Sequence, residues 1–179
     1  MMNYIDYRSL QESEITRPLF RHFNRRQVVK DCWRRVGGEW VIREDPFIDD
    51  WSEEDYQFLV QCLRNTVNTG GVVYGAFENG QLKGFTSVEA QPLGSENQYL
   101  DLSCIHVSED MRGQGIGTRL FSLACNWARE HGAKKLYISA HSAVETQSFY
   151  RAQGCVEAEE YNREHAEKEP YDCQMECVL

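Results

Sequence analysis

The sequence contains no Cys-x-x-Cys pair and no cysteine–histidine cluster at zinc-ligand spacing. A structural zinc site is therefore not expected, and no metal is called for. The seven cysteines are odd in number, scattered, and mostly set in apolar patterns. They read as buried reduced thiols, not as a disulfide framework. No apolar run reaches the length of a membrane span. The first ten residues are polar and charged, so no secretory leader is expected there. A cytoplasmic protein is the resulting expectation. Repeats and low-complexity tracts are also missing. Basic charge is scarce: 19 Lys and Arg stand against 28 Asp and Glu, a formal net charge of −9. That balance disfavours nucleic acid and anionic membrane as partners. It favours a cationic small molecule, although solubility explains the total more readily.

The 179 residues suffice for one domain with a real core, so a single domain over 1–179 is expected. Tyr4–Arg8 alternates as a first strand. The stretch Arg25–Arg35 carries Val28, Val29, Cys32, Trp33 and Val36 at helical spacing, with Gly37-Gly38 as its stop. Trp40–Trp51 reads as an aromatic, acidic loop. Ser52 opens a helix with Asp55 three residues on, and Tyr56, Leu59, Val60, Leu63 and Val67 form its apolar stripe. Val72–Phe77 and Leu82–Ala90 flank Asn79-Gly80, a hairpin signal because both turn residues accept positive φ. Tyr99–Val107 is a further strand, and Gly115–Glu130 an amphipathic helix. Leu136–Ala140 is a strand, Ser142–Gln153 a helix capped at Ser142, and Val156–Tyr161 and Cys173–Leu179 the last strands. The charged loop Asn162–Asp172 joins them. A crossover helix between Tyr99–Val107 and Leu136–Ala140 implies one parallel pair.

The segment Arg112-Gly113-Gln114-Gly115-Ile116-Gly117-Thr118 joins a strand to that amphipathic helix. Glycines admit close backbone approach, and the first amides of a helix lack internal partners. With the helix dipole they form a pyrophosphate cradle, to which Arg112 adds a charge-assisted contact. A P-loop requires Gly-Lys-Ser/Thr, which is missing. A dinucleotide fingerprint requires G-x-G-x-x-G, and here the third glycine comes one residue early. What remains is the acyl-CoA loop R/Q-x-x-G-x-G/A, filled by Arg112, Gly115 and Gly117.

With Leu102–Val107 before this loop, and Phe149-Tyr150 followed by Gly154-Cys155 after it, the chain resembles the GNAT superfamily of acyl-CoA N-acyltransferases. The motifs cover about Leu100–Val156. The resemblance implies an α/β (α+β) fold with a mixed, mostly antiparallel seven-stranded sheet. Helices lie on both faces, and the central fourth and fifth strands run parallel and splay. It implies acetyl-CoA as co-substrate, with pantetheine along Ile105, Val107 and His106. The pyrophosphate would rest on Arg112 to Thr118. It implies Tyr150 as the acid that protonates the departing thiolate, with Phe149 beside it. An asparagine usual near the start of that helix is replaced, with Thr146 or Ser142 as substitutes. The acceptor amine must lose a proton, since free aliphatic amines are protonated at pH 7. Glu89 is the favoured base; Asp101, His106 and His141 are the alternatives. Cys104 suits a packed thiol better than a ping-pong nucleophile.

Acceptor contacts are expected from Trp33, Trp51, Asp50 and Asp101. Trp40, Phe47, Asp45 and Asp49 lie nearby in sequence, and the late acidic loop completes the set. Aromatic rings with carboxylates suit a cationic amine; an aromatic mini-core beside solvated acids is the other reading. The arginine pairs Arg25-Arg26 and Arg34-Arg35 suit an acidic substrate instead. The expected activity is acetylation of a small cationic amine in a ternary complex. Alternatives are a protein N-terminal or lysine acetyltransferase and a non-catalytic acyl-CoA-binding module. A homodimer is expected from relatives.

Overall fold

The computed structural model describes residues 4–179. Met1 to Asn3, part of the stretch expected to lack a leader, lie outside them. Strand β1 (Ile5–Ser9) is followed by two 3₁₀ turns, Glu12–Glu14 and Arg17–Phe20. Next come strands β2 (Arg26–Val36) and β3 (Glu39–Asp50), helix α1 (Glu53–Asn68), and strands β4 (Val72–Glu78), β5 (Gln81–Val88) and β6 (Tyr99–Val107). Helix α2 (Ile116–Glu130), strand β7 (Lys135–Ala140), helix α3 (Val144–Ala152), strand β8 (Val156–Glu157), helix α4 (Arg163–Lys168) and strand β9 (Cys173–Val178) complete the chain.

Seven strands form one sheet in the order β1-β4-β5-β6-β7-β9-β8. Every pairing is antiparallel except β6 with β7. On β4, Val73 and Phe77 pack with Leu59 and Leu63 of α1. The alternate residue Ala76 packs with Ile116 and Leu120 of α2. Strand periodicity of two therefore puts α1 and α2 on opposite faces. The mixed seven-stranded sheet and the helices on both its faces are as expected. Ser52 caps α1 by accepting from the Asp55 amide while the Asp55 side chain accepts from the Ser52 amide. Asn79 (φ 50°) and Gly80 (φ 75°) turn β4 into β5.

The segment expected to be a helix and a loop is instead a second, two-stranded sheet, β2 paired with β3. Its turn is Gly37 (φ 58°) and Gly38 (φ 83°), a two-residue hairpin and not a helix stop. The difference has a physical source. The ladder shifts register between Val29 and Asp31, opposite Asp45 and Pro46, where a proline is tolerated. The bulge puts the buried residues Val29 and Cys32 three apart, which imitates helical spacing. Three boundaries also move. The eighth strand is only two residues long. The loop after it contains α4. Ala143, not Ser142, stands at the start of α3; the Ser142 hydroxyl accepts from Arg34 at 2.6 Å.

Candidate active site

The parallel pair is short: Tyr99, Leu100 and Asp101 lie opposite Lys135, Leu136 and Tyr137, and no further. Beyond Asp101, β7 continues to pair with β9 while β6 continues to pair with β5. The two halves of the sheet therefore diverge, and among the described residues one edge of β6 is left free of strand partners. A register shift at Ser103 bulges β6 at the point of divergence. Past the bulge, the Ser108 amide donates back to Lys83 O at 2.8 Å. By alternation Ile105 and Val107 turn their backbone groups the other way, toward the gap. Those two were expected along pantetheine. His106 turns its backbone to β5.

The glycine loop closes the wide end of the gap. Gly113 (φ 77°) and Gly115 (φ 84°) are left-handed. A Cβ on either would meet nothing within 4 Å, so that side of the loop is open to a ligand. The helix ladder begins with Arg119 donating to Gly115 O at 3.1 Å. The amides of Ile116, Gly117 and Thr118 precede it and face outward. Gly117 serves packing: a Cβ there would lie 3.2 Å from the Phe149 ring. Gln114 and Thr118 are exposed on the same loop. Arg112 donates from Nε to Val107 O at 3.2 Å. An open anion cradle beside a free strand edge fits the pyrophosphate and pantetheine of an acyl-CoA.

Tyr150 is buried against Phe121 and Phe149. Burial drives its hydroxyl far above the ordinary tyrosine value, and the Cys155, Cys104 and Asp172 groups add to the shift. It is held as a neutral proton donor. Burial also pushes the Cys104 thiol up to about 12. A thiol held protonated is a poor nucleophile.

Opposite α2, the α1 face of β5 and β6 carries the acids. Glu89 accepts from Thr66 Oγ1 at 2.6 Å and Ser103 Oγ at 2.9 Å, which fixes its carboxylate. Asp101 Oδ2 lies 2.8 Å from His165 Nε2 of α4. That bond raises the His165 value, with burial opposing. Asp172 accepts from Ser139 Oγ at 2.9 Å. Burial pushes its carboxyl up to about 6, with Glu169 adding.

Trp51 packs edge-on to His106, centroids 4.8 Å apart. Arg25 lies over the Trp51 ring at 5.2 Å and donates from Nε to His106 Nδ1 at 3.2 Å. His106 is held neutral, first by burial and then by the charges of Arg25 and Arg112. His141 is also lowered, first by burial; its Nδ1 accepts from the Ala143 amide at 3.0 Å. In both rings Nδ1 is an occupied acceptor, so neither presents a free lone pair as a base.

The other expected residues separate. Trp33 faces a cavity of about 290 Å³ with Trp40, Gln147, Arg151 and Cys155, away from Trp51. Asp50 is exposed at the hairpin base opposite Arg26, and Asp49 instead meets Arg25 at 3.2 Å. Thr146 Oγ1 accepts from Gln27 at 3.4 Å. His165 and Thr66 were not singled out from sequence; Arg25 was, as one of two arginine pairs suited to an acidic substrate. Asp101 and His165 are 64 positions apart, and no local pattern announces such a pair.

A splayed parallel pair with an anion-binding loop at its mouth defines an acyl-CoA-dependent transferase. Residues 38–155 match the profile of the acetyltransferase (GNAT) family, and the chain belongs to that family. It is an acetyl-CoA-dependent acyltransferase. Solved structures of the same fold include nourseothricin acetyltransferase, at 18% identity and TM-score 0.68 over 97% of this chain and 98% of that one. A protein from Bacillus anthracis described as a streptothricin acetyltransferase, bound to acetyl coenzyme A, gives 16% and 0.74 over 98% and 99%. An N-acetyltransferase from Thermoplasma acidophilum bound to coenzyme A gives 14% and 0.59 over 98% and 99%. Among curated protein sequences none matches significantly. Among the described residues no helix is long and apolar enough to cross a membrane.

Proposed function

We propose that the protein acetylates a primary amine of a small molecule that arrives as an ammonium ion, by direct transfer with both substrates bound. The carrying observation is the acidic α1 face of the splay, where Glu89 is clamped by Thr66 and Ser103 and Asp101 by His165. Carboxylates there attract the ammonium and accept its proton. Two structures of similar fold are named for nourseothricin and streptothricin, which supports a small-molecule acceptor over a protein.

When bound, acetyl-CoA supplies an activated acetyl group as a thioester. The amides of Ile116 to Thr118 and the edge of β6 at Ile105 and Val107 hold the donor. Glu89 takes the proton from the amine, and the amine becomes a nucleophile. Tyr150 holds a proton at Oη for the departing sulfur. The Cys104 thiol stays protonated, which supports direct transfer over a covalent cysteine route. Asp172 is the second candidate for the base, because a carboxyl titrating at about 6 is better matched to neutral pH.

Release of free thiol from acetyl-CoA, followed over a panel of small primary amines and lysine-containing peptides, tests this reading. Turnover of small amines and not of peptides is expected. Turnover confined to peptides would replace it with protein acetylation.

A further inference from the structure

Among the described residues, two buried side-chain atoms have no hydrogen-bond partner: Arg25 Nη1 and Asp101 Oδ1. One is a cationic donor and the other an anionic acceptor. Both residues are more than nine-tenths buried, at 6% and 7% exposure. Unpaired buried groups of this kind are costly and rare in folded chains. Both lie on the α1 side of β6, one at each end of its splayed stretch.

Arg25 is fixed from three directions. Its Nε donates to His106, and its Nη2 to Gln27 at 3.3 Å and Asp49 at 3.2 Å. The Trp51 ring covers its face. Nη1 is what remains. The groups around it come from several elements. His106 of β6 and His141 after β7 are both neutral. Arg112 of the glycine loop and Arg34 of β2 also act on these histidines. Asp49 is the anion in direct contact, and Glu169 acts at His141 from farther off. Arg34 is itself paired with Asp45 at 2.8 Å, which leaves Arg25 Nη1 as the buried cationic donor without a partner.

We infer that the acceptor carries a carboxylate as well as its amine, and that Arg25 Nη1 binds the carboxylate while Asp101 and Glu89 face the amine. This deepens the proposed function and rests on it. Asp101 and His106 stand five positions apart on β6, at most about 16 Å along the backbone at 3.3 Å per residue, with the bulge shortening it. The two charges of the acceptor therefore stand several bonds apart. The class is an ω-amino acid or a lysine-like molecule, not a simple α-amino acid acetylated at its α-amine.

The test uses the full chain with acetyl-CoA and matched pairs: 6-aminohexanoate with its amide, and lysine with lysinamide. The acid of each pair is expected to show the lower KM. Arg25→Gln is expected to raise KM for the acid relative to the amide by about tenfold or more, the scale of one charge-assisted hydrogen bond. Arg25→Lys should restore part of that preference. A merely structural arginine would weaken both members of a pair alike. Equal KM for acid and amide in the unaltered protein, or an equal loss on both in Arg25→Gln, overturns the inference. If no amine is acetylated although CoA binds, the proposed function fails separately. Calorimetric binding of the same pairs to the CoA complex then still reads the acid preference, and its absence overturns the inference.

Discussion

At the residue scale, burial keeps the proton on Tyr150, and the proposed base is a carboxylate. Tyr150→Phe removes the held proton and leaves the packing ring. Turnover is expected to fall by about 10²-fold, the usual scale for a general acid, with CoA affinity measured by calorimetry nearly unchanged. Glu89 and Asp172 are separated by their pH profiles. Glu89→Gln should depress kcat/KM if Glu89 is the base. Asp172→Asn should instead abolish a rising limb near pH 6 if Asp172 is. Asp172 also carries a stability signature. Its folded value of about 6 exceeds the unfolded value of about 3.9. The folded chain therefore binds a proton that the unfolded chain has released between those values. The resulting stability is complete below about pH 4 and is lost as pH rises through 6. Relative to Asp172→Asn, whose side chain stays neutral at every pH, the melting temperature of the unaltered chain should fall as pH rises through about 6.

At the element scale, local patterns carried most of the fold. The Ser52–Asp55 cap, the Asn79-Gly80 turn and the α2 stripe are each written in neighbouring residues, and each stands where expected. The hairpin of β2 and β3 was not legible, because its bulge disguised period two as period three. The glycine loop between β6 and α2 was legible for the same reason as the caps: its residues are contiguous. The Arg25–His106 and Asp101–His165 contacts were not, since they join distant segments. Gly115→Glu should abolish CoA binding by calorimetry while the fold survives, because no atom lies within 4 Å of the new Cβ. The left-handed φ adds a cost of about 1–2 kcal/mol. Val29→Asp should detach the hairpin from Ala143, its neighbour in a small buried cluster with Cys32. Acceptor KM is expected to rise several-fold, with the KM for acetyl-CoA little affected.

At the scale of the whole molecule, charge is the simplest lever. A net charge of −9 would steer a cationic acceptor inward and repel an anionic donor. Raising salt from about 0.01 to 0.15 M shortens the screening length from about 30 to 8 Å. The expected result is a lower kcat/KM for a dicationic amine, while a net-neutral ω-amino acid responds little. Steady-state kinetics over that range checks it.

The hairpin has a mechanical consequence. The two halves of the sheet share only the short seam from Tyr99 to Asp101, so they resemble jaws on a small hinge. The hairpin is fastened to both jaws. At its base Glu109 donates its amide to Asn24 O at 2.8 Å, and farther along Trp33 donates its own to Ser142 O at 2.8 Å. Its outer end reaches Glu157 through Arg35. It acts as a splint across the opening, and the bite of the jaws is set by a segment that lies outside the main sheet.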